Sequence, residues 1–471
     1  MYVEQIFTSC LAEMAYYIES NGEAVVIDPL RETTPYIEKA HSRGAKIKYV
    51  FLTHFHADFV SGHVDLAKKT GATIVFGPNA KTEFDFHSGA DNEEFKVGDI
   101  TLKLLHTPGH TMESSSYLLI DAEGETPCIF TGDALFIGDV GRPDLAVKSD
   151  VTQDDLAGYL FDSLRTKIMP LPDEIIVYPN HGAGSSCGKN MSKETYDTLG
   201  HQKEVNYALR ADMTKAEFIK EVTDGLVAPP QYFPKNVGMN KGINKSYDDI
   251  LADGNKGLSV EEFKNLSQNG ALIIDVRHEH NFVKEHIKGS WFFGLDGTFA
   301  SWVGTLIEDL NTPIILVVPE GREEEAITRL ARVGYDNVKG YLKGGIKAWQ
   351  KAGEEIDAIM NMTVHEFSEN ITNHKVDILD VRKDSEYFSE HIVHENMTNS
   401  CLDRMMTGNT GLDKSKKYHV HCAGGYRSVI AISILNTKGF SGLVNVDGGF
   451  DKIKEEESIK TSDWVCPTTM L

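Results

Sequence analysis

An internal repeat in the second half of the chain constrains the fold more than any other feature. The segment "LIIDVRHEHNFVKEHIKGS" (272–290) resembles "DILDVRKDSEYFSEHIVHE" (377–395), which places Asp275 and Asp380 105 positions apart. Nearly the same offset relates "GGIKAW" to "GGFDKI". Each copy spans about 100 residues and mixes strand-like with helical runs, whereas solenoid units are shorter and more numerous. The repeat therefore predicts two tandem α/β domains.

The first half alternates short β-type runs with polar turns, as in "EAVVIDP" (23–29), "IKYVFLTH" (47–54) and "CIFTGDALF" (128–136). A helix is predicted at 61–70, and a second stretch at 212–225 is also expected to be helical. The segment 228–257 is rich in Pro, Gly and Asn and is expected to be a linker or a wrapping segment.

The length of 471 residues suggests about three domains. We predict boundaries that give domains at 1–245, 246–357 and 358–471.

Charge and cysteine usage limit the partners and the compartment. The net charge of −23 disfavours nucleic acid or an anionic membrane surface as a partner, because the phosphate term would be repulsive. We find no signal peptide and no apolar stretch long enough to span a membrane. The six cysteines are scattered and form no CxxC pair, which favours reduced thiols and a cytoplasmic location.

Histidines and aspartates cluster at the ends of the predicted strands of the first half. The motifs are "HxHxD", "TPGHT", "TGDALF" and "YPNHG", and the residues are His54, His56, Asp58, His63, His110, Asp133 and His181. A single histidine is usually a satisfied core or surface residue, but this ordered set at strand ends predicts a metal site. Phe59 follows Asp58 at a position where many metal hydrolases have another histidine ligand.

This ordered set resembles the metallo-β-lactamase superfamily over about residues 1–245, which implies an αββα sandwich. In binuclear members of that superfamily, the positions of His54, His56 and His110 hold one metal. The positions of Asp58, Phe59 and His181 hold the second, and Asp133 bridges the two. The apolar ring of Phe59 removes one ligand of the second metal, so a hydrolase that needs two metals would be impaired.

One branch of the superfamily, the persulfide dioxygenases, uses a single Fe(II), and this resemblance implies His54, His110 and Asp133 as ligands. Two imidazoles and one carboxylate leave open positions for O₂ and substrate sulfur, although the same ligands also accept Zn, which the protein could carry as purified. His56, Asp58 and His181 then become residues that orient the ligands, or an alternative metal set.

Three further residues are candidates near this metal site. By the same resemblance, Arg142 in "GDVGRPDL" is a candidate for binding an anionic group of the carrier thiol. Tyr178 is a weaker substrate-binding candidate, since a strand tyrosine usually packs. Cys187 lies in the loop "HGAGSSCGK", whose small residues are expected to leave the thiol accessible, either as an unreactive cysteine or as a sulfur acceptor.

The second repeat contains "YHVHCAGGYRSVIAISIL" (418–435), in which a strand leads into Cys422, a glycine-bearing loop, Arg427 and a helix. Loop N–H groups and the helix N-terminus stabilise a thiolate, and then a persulfide, at such a cysteine. Together with "DVR", "EHI" and "VDGGF", this motif resembles a rhodanese (sulfurtransferase) domain. Related phosphatases have a loop one residue longer, so the loop here favours sulfur transfer.

The first repeat resembles the same domain without its nucleophile. Arg322 aligns with Arg427, and the offset of 105 places Val317 at the position of Cys422, so we predict an inactive rhodanese-like domain. Of the other cysteines, Cys401 is expected to be a packing residue, and Cys466 is either a free tail thiol or a mobile sulfur relay.

The whole order resembles the fused persulfide dioxygenase–sulfurtransferases of bacterial sulfide detoxification. The expected activity is Fe(II)-dependent oxidation of a low-molecular-weight thiol persulfide by O₂ to sulfite and thiol, with one iron per metallo-β-lactamase-like domain. A Cys422 persulfide would then transfer sulfur to give thiosulfate, or run the reverse. The expected partners are the persulfide, O₂ and sulfite or thiosulfate, and a homo-oligomer is left open.

Two alternatives remain at this stage. One is a glyoxalase II-like zinc thioester hydrolase joined to a sulfurtransferase, and the other is a sulfur carrier or redox sensor with a vestigial metal domain.

Overall fold

The computed structural model describes residues 1–147, 150–189, 191–226, 228–406 and 410–466. The chain divides into two compact units: Met1–Asp249 with Ala331–Gly334, and Ile250–Leu330 with Tyr335–Leu471. Among the described residues, no helix is long and apolar enough to cross a membrane.

The first unit contains two six-stranded sheets. The first sheet has the order β1-β2-β3-β4-β5-β6, in which β1 to β3 are antiparallel and β3 to β6 are parallel. The second has the order β12-β11-β10-β9-β8-β7, with β10 and β11 parallel and the other pairs antiparallel. The strands are β1 Tyr2–Thr8, β2 Glu13–Ser20, β3 Glu23–Ile27, β4 Lys46–Phe51, β5 Thr73–Phe76, β6 His87–Ser88, β7 Glu94–Val97, β8 Ile100–His106, β9 Ser115–Ile120, β10 Cys128–Gly132, β11 Ile176–Pro179 and β12 Asp197–Thr198.

Apolar side chains from the facing sides of the two sheets form the central core of this unit. Aromatic rings meet across it, with centroids 4.6 Å apart for Phe51 and Tyr117 and 4.8 Å apart for Tyr16 and Phe130. Helices cover both outer faces and pack on separate apolar clusters. The helices are α1 Thr34–Ser42, α2 His63–Thr70, α3 Gln153–Ser163, α4 Leu199–Val205, α5 Lys215–Thr223 and α6 Phe233–Lys241, and α7 Tyr247–Gly254 begins in this unit and ends in the second. The predicted αββα sandwich is confirmed.

The second unit contains two five-stranded parallel sheets with matching order. They run β13-β18-β17-β14-β16 and β20-β24-β23-β21-β22, and a short antiparallel pair joins β15 to β19. The strands are β13 Gly257–Leu258, β14 Leu272–Asp275, β15 His286–Ile287, β16 Trp291–Phe292, β17 Ile314–Val317, β18 Val338–Leu342, β19 Ile356–Asp357, β20 Met360–Met362, β21 Asp377–Asp380, β22 Met397–Asn399, β23 Tyr418–His421 and β24 Val444–Val446.

Helices flank both of these sheets. They are α8 Val260–Gln268, α9 Glu279–Lys284, α10 Phe299–Leu306, α11 Glu323–Arg332, α12 Gly345–Lys351, α13 Val364–Asn373, α14 Asp384–Ser389, α15 Tyr426–Thr437 and α16 Gly449–Ile453. Each copy of the repeat has its own parallel sheet and apolar cluster. The prediction of two tandem α/β folds in the second half is therefore confirmed, whereas the domain boundaries at 245/246 and 357/358 stay predictions.

The strand register corrects one alignment. In the first copy Asp275 lies opposite Val317, whereas in the second copy Asp380 lies opposite His421. Val317 therefore occupies the place of His421, and Val318 that of Cys422. The prediction that Val317 aligns with Cys422 was wrong by one residue. The offset between the copies is 105 at β14 and β21 but 104 at β17 and β23. A valine still stands where the second copy has its thiol.

Two local predictions in the first half have different outcomes. The helix expected at 61–70 is confirmed as α2. The linker interpretation of 228–257 is wrong, because this segment forms α6 and α7. The segment does pack against the histidine motif, because the side chain of Asn240 on α6 donates to the backbone oxygens of His56 and Phe59, both at 2.8 Å.

Candidate metal centre and sulfur-transfer loop

The ends of four strands bring the predicted metal ligands to one edge of the sandwich. His54 follows β4, His110 follows β8, Asp133 follows β10, and His181 follows β11. β8 and β10 run in the same direction, since both are antiparallel to β9, and their carboxyl ends therefore meet. Gly132 brings β10 close to β4: its φ is +54°, and a Cβ there would lie 2.6 Å from Thr53.

Three of the predicted residues face a common point. One ligand atom from each of His54, His110 and Asp133 lies within 4.8 Å of the others. The Nε2 atoms of His54 and His110 lie 3.8 Å and 3.4 Å from Asp133 Oδ2. That oxygen is buried and has no hydrogen-bond partner among the described residues. A cation would satisfy it, so the donor set fits a metal ion.

The hydrogen bonds of the two imidazoles leave their Nε2 lone pairs free. His54 Nδ1 lies 2.9 Å from Thr53 Oγ1, which donates its own hydrogen to Asp28 and therefore accepts from the imidazole. His110 Nδ1 donates to the backbone oxygen of Arg142 at 2.8 Å. Both rings are thus protonated at Nδ1. Burial and the neighbouring His56 hold the pKa of His54 well below its usual range, so that ring stays neutral.

His181 is bonded differently. Its Nδ1 lies 2.9 Å from Asp133 Oδ1, and its Nε2 lies 2.9 Å from Asp58 Oδ2. Burial disfavours the charged ring, but the two carboxylates outweigh it and raise the pKa of His181 well above its usual value. Burial would raise the pKa of Asp133, but the three facing histidines, His181 first, lower it well below its usual value. His181 is therefore an imidazolium that holds Asp133 in place.

His56 is also committed to a carboxylate, because its Nε2 lies 2.9 Å from Asp28 Oδ1. The ring of Phe59 stacks on that of His56, with centroids 4.4 Å apart. His63 lies apart from the cluster, since it begins α2 and packs on Phe76 and Phe84. Burial lowers the pKa of His63 to about 3, which makes it a neutral core residue.

The two predicted substrate-binding residues, Arg142 and Tyr178, both have partners within the protein. The guanidinium of Arg142 is buried and pairs with both carboxylate oxygens of Asp144, at 2.6 and 2.7 Å. Tyr178 stacks on Phe130, which is the packing arrangement usual for a strand tyrosine. Their substrate-binding roles stay predictions.

Cys187 lies beside the metal cluster. Its Sγ lies within 4.8 Å of the ligand atoms of Asp58 and His181. The expectation of an accessible thiol is wrong, because Cys187 is only 1% exposed. Burial, and then the charges of Asp58 and Asp133, raise the pKa of this thiol well above its usual value. A role as sulfur acceptor stays a prediction.

The Cys422 loop connects β23 to α15. The N–H of Gly425 donates to Cys422 Sγ at 3.1 Å, and Ser428 Oγ lies 3.7 Å from the same sulfur. Arg427 forms a two-pronged ion pair with Glu386, with N···O distances of 2.6 and 2.7 Å. The loop thus places one N–H donor, from Gly425 at the N-terminus of α15, on a buried sulfur, an arrangement that stabilises negative charge on sulfur.

Sequence reasoning missed four residues that support these two centres: Asp28, Glu13, Glu386 and Tyr426. Asp28 holds Thr53 and His56, and its position at the end of "EAVVIDP" was an available signal. Glu13 is fully buried without a hydrogen-bond partner among the described residues, and burial first, then Asp58 and Asp28, raise its pKa well above its usual value. Nothing local in the sequence marks Glu13, and the partners of Glu386 and Tyr426 are distant along the chain.

Known families match both halves. The metallo-β-lactamase superfamily model matches residues 9–181, and the rhodanese-like domain model matches 259–352 and 363–456. A crystal structure of a metallo-β-lactamase from Staphylococcus aureus subsp. aureus COL is 31% identical, with a TM-score of 0.64. The match covers 73% of this chain and 98% of that one. The chain belongs to the metallo-β-lactamase superfamily and carries two rhodanese-like domains, as predicted.

Two relatives carry different activities in their names. The mouse protein named persulfide dioxygenase ETHE1, mitochondrial, is 31% identical over 209 residues, which cover 44% of this chain and 73% of the relative. The Arabidopsis thaliana protein named hydroxyacylglutathione hydrolase cytoplasmic is 32% identical over 177 residues, which cover 36% of this chain and 65% of the relative. Sequence identity alone does not separate the two activities.

Proposed function

We propose that this protein is a bifunctional sulfur-oxidising enzyme. One domain oxidises a low-molecular-weight thiol persulfide with O₂ to sulfite and thiol, and Cys422 transfers sulfane sulfur to give thiosulfate, or runs the reverse. The observation that carries the proposal is that the histidines of the cluster fall into two groups by their bonding partners. The Nε2 atoms of His54 and His110 face Asp133 Oδ2, whereas His56 and His181 are committed to carboxylates.

This division supports a three-ligand site at His54, His110 and Asp133, beside a second group, Asp58, His181 and Cys187, whose ligand atoms also lie within 4.8 Å of one another. His54, His110 and Asp133 would hold Fe(II), which would supply the activation of O₂ together with a persulfide sulfur. The overall reaction balances as RSSH + O₂ + H₂O giving RSH and sulfurous acid. The sulfane sulfur loses four electrons, and O₂ gains them.

The chain's own residues hold the site in place. The imidazolium of His181 donates to Asp133 Oδ1 and leaves Oδ2 free to face the metal. Asp28 accepts from the backbone N–H and the hydroxyl of Thr53, and Thr53 in turn fixes the tautomer of His54. Such partners orient ligands and tune their basicity.

The transfer steps at Cys422 also balance. The Cys422 thiolate attacks the outer sulfur of RSSH. The S–S bond of RSSH breaks, RS⁻ departs, and Cys422 becomes a persulfide. Sulfite then attacks the outer sulfur of that persulfide, and thiosulfate and the Cys422 thiol are released. The Gly425 N–H faces the sulfur that carries the charge. Arg427 is assigned to the same site, where its ion pair with Glu386 orients the first turn of α15.

The second candidate is a zinc thioester hydrolase joined to a sulfurtransferase. The similarity to hydroxyacylglutathione hydrolases favours it, at 32% identity against 31% for the mouse persulfide dioxygenase. It requires water activated at zinc, commonly at a two-metal centre, and no O₂.

One experiment separates the two candidates. We would purify the protein without air, measure its metal content, and follow O₂ uptake with glutathione persulfide and coenzyme A persulfide. We expect about one iron per chain and O₂ consumption with sulfite release. Stoichiometric zinc and thioester cleavage, without O₂ uptake from either persulfide, would end the dioxygenase proposal.

Asp133→Ala tests the ligand set. We expect it to lose iron and O₂ uptake, whereas the exposed Asp162→Ala, in the same unit, should retain both. Unchanged iron content in Asp133→Ala would refute the ligand assignment.

A further inference from the structure

The first rhodanese-like repeat contacts the Cys422 loop through Tyr426. This residue stands between Gly425, whose N–H donates to Cys422 Sγ, and Arg427. The Tyr426 hydroxyl donates to the backbone oxygen of Gly294 in the first repeat at 2.8 Å. The ring packs against Phe292, with centroids 5.5 Å apart. A side chain of the second repeat's loop is thus anchored in the first repeat.

Gly297 shows how closely the first repeat approaches this ring. A Cβ at Gly297 would lie 2.4 Å from Tyr426 Cζ, which is too short for any real contact. The contact continues along α15, the helix that begins at Tyr426. Ser433 Oγ accepts from the backbone N–H of Phe292 at 3.0 Å, and Thr437 Oγ1 accepts from Trp291 Nε1 at 3.2 Å. The helix and its N-terminal loop therefore take their position from β16.

A cavity of about 250 Å³ lies where the two repeats meet beside the loop. One wall comes from α9 of the first repeat, with Glu279 and His280. The other comes from the second repeat, with Gly424, Gly425 and Asp447. Lys452 also lines the cavity and pairs with Glu455 at 3.0 Å. Two carboxylates, Glu279 and Asp447, line the cavity against one ammonium, Lys452, and this negative balance favours a cationic group on the occupant.

We propose that the first rhodanese-like repeat, which has no nucleophile, completes the sulfur-donor site of the second. It fixes the Cys422 loop through Tyr426, a positioning residue, and its α9 forms the wall against which a small thiol persulfide with an ammonium group binds. This inference rests on the proposed sulfur transfer at Cys422. It gives the inactive repeat a role in donor selection and in the geometry of transfer.

The first test places a mutation in the inactive repeat and measures chemistry in the active one. Gly297→Ala in the full chain should displace the Tyr426 ring and the N–H groups next to it. A displacement of about 1 Å at a catalytic group can cost up to about 100-fold in rate. We expect kcat for sulfur transfer to fall at least tenfold and the rate of Cys422 alkylation by iodoacetamide, followed by peptide mass spectrometry, to change severalfold. Gly257→Ala is the matched control, because a Cβ there would meet its neighbours at ordinary contact distance, 3.4 Å or more.

Equal kcat and equal Cys422 alkylation in Gly297→Ala and Gly257→Ala would overturn the positioning role. If Gly297→Ala does not fold, Tyr426→Phe removes only the hydroxyl bond to Gly294. Tyr335→Phe, which removes another buried hydroxyl bond in the same repeat, is its control. A smaller kcat in Tyr426→Phe than in Tyr335→Phe supports the role, and equal values refute it. Wild-type protein that forms no Cys422 persulfide would refute the proposed function instead, while alkylation would still test the positioning.

The second test concerns the wall formed by α9. Cysteamine persulfide and 3-mercaptopropionate persulfide differ mainly in the sign of their charge. We expect the wild type to have the lower KM for cysteamine persulfide, and Glu279→Gln to narrow the ratio of the two KM values at least threefold. Glu261→Gln, at an exposed position of α8 in the same repeat, should leave the ratio of the two KM values unchanged. An equal ratio of the two KM values in wild type and Glu279→Gln would show that α9 is not part of the donor site.

Discussion

Replacing Asp58 by Asn removes one of the two carboxylates that hold the imidazolium of His181. Asp58 Oδ2 and Asp133 Oδ1 each lie 2.9 Å from a ring nitrogen, and the His181 side chain is fully buried. If His181 orients Asp133 rather than binding metal, the substitution should destabilise the metal-free protein and leave iron binding at about one per chain.

The magnitude follows from the burial of the pair. Removing one partner of a buried ion pair costs about 3–5 kcal/mol. Asn keeps one acceptor oxygen, so we expect the lower end, about 3 kcal/mol. For a unit of this size, each kcal/mol lowers the unfolding midpoint by about 2–4 °C, which gives a decrease of about 6–12 °C.

The pH dependence has a definite sign. The pKa of His181 is raised in the folded protein. Its stabilising contribution is therefore complete below the unfolded pKa, about 6.5, and is lost as the pH rises through the folded pKa. In Asp58→Asn the pKa of His181 is raised less in the folded protein, so the contribution is smaller and its loss should be complete at a lower pH.

Calorimetry of chelator-treated protein between pH 5 and 9 would measure both effects. All four tryptophans (Trp291, Trp302, Trp349 and Trp464) lie in the second unit, so tryptophan fluorescence reports the unfolding of that unit. Asp162→Asn is the control. It breaks an exposed ion pair with Lys215 and should cost less than about 1 kcal/mol. Equal midpoints for the two variants, or loss of iron from Asp58→Asn, would refute the assigned role of His181.

Three further substitutions test other parts of the proposal. Cys422→Ser should abolish thiosulfate formation while O₂ uptake continues and sulfite accumulates; full thiosulfate output would contradict its role. Phe59→His should raise bound metal from about one to about two per chain by elemental analysis, because it restores a second-site ligand; a count that stays at one would show that Phe59 does not limit the metal number. Glu386→Gln removes the charge paired with Arg427 at 2.6 Å, and kcat for sulfur transfer should fall about tenfold at constant O₂ uptake. An unchanged kcat would show that Glu386 does not support the Cys422 loop.

The sequence by itself determined the order of the folds and the chemical types at the two centres. The 105-residue repeat predicted two similar α/β folds, and both sheets have the same strand order. The motifs showed a cluster of histidines and aspartates at strand ends, and the resemblance to the persulfide dioxygenases implied His54, His110 and Asp133 within it. Cys422 could be selected because its loop and helix are contiguous in sequence. Each of these signals is local or periodic.

Tertiary structure alone decided which histidines are free and what supports them. His54 and His181 are both histidines at strand ends, yet one faces a hydroxyl and the other two carboxylates that lie 48 and 123 positions away along the chain. The one-residue change in offset that moves the nucleophile position to Val318 appears only in the strand register. The contact of Tyr426 with Gly294 joins residues 132 positions apart. A sequence pattern records residue types, whereas protonation, tautomer and positioning depend on neighbours that only folding brings together.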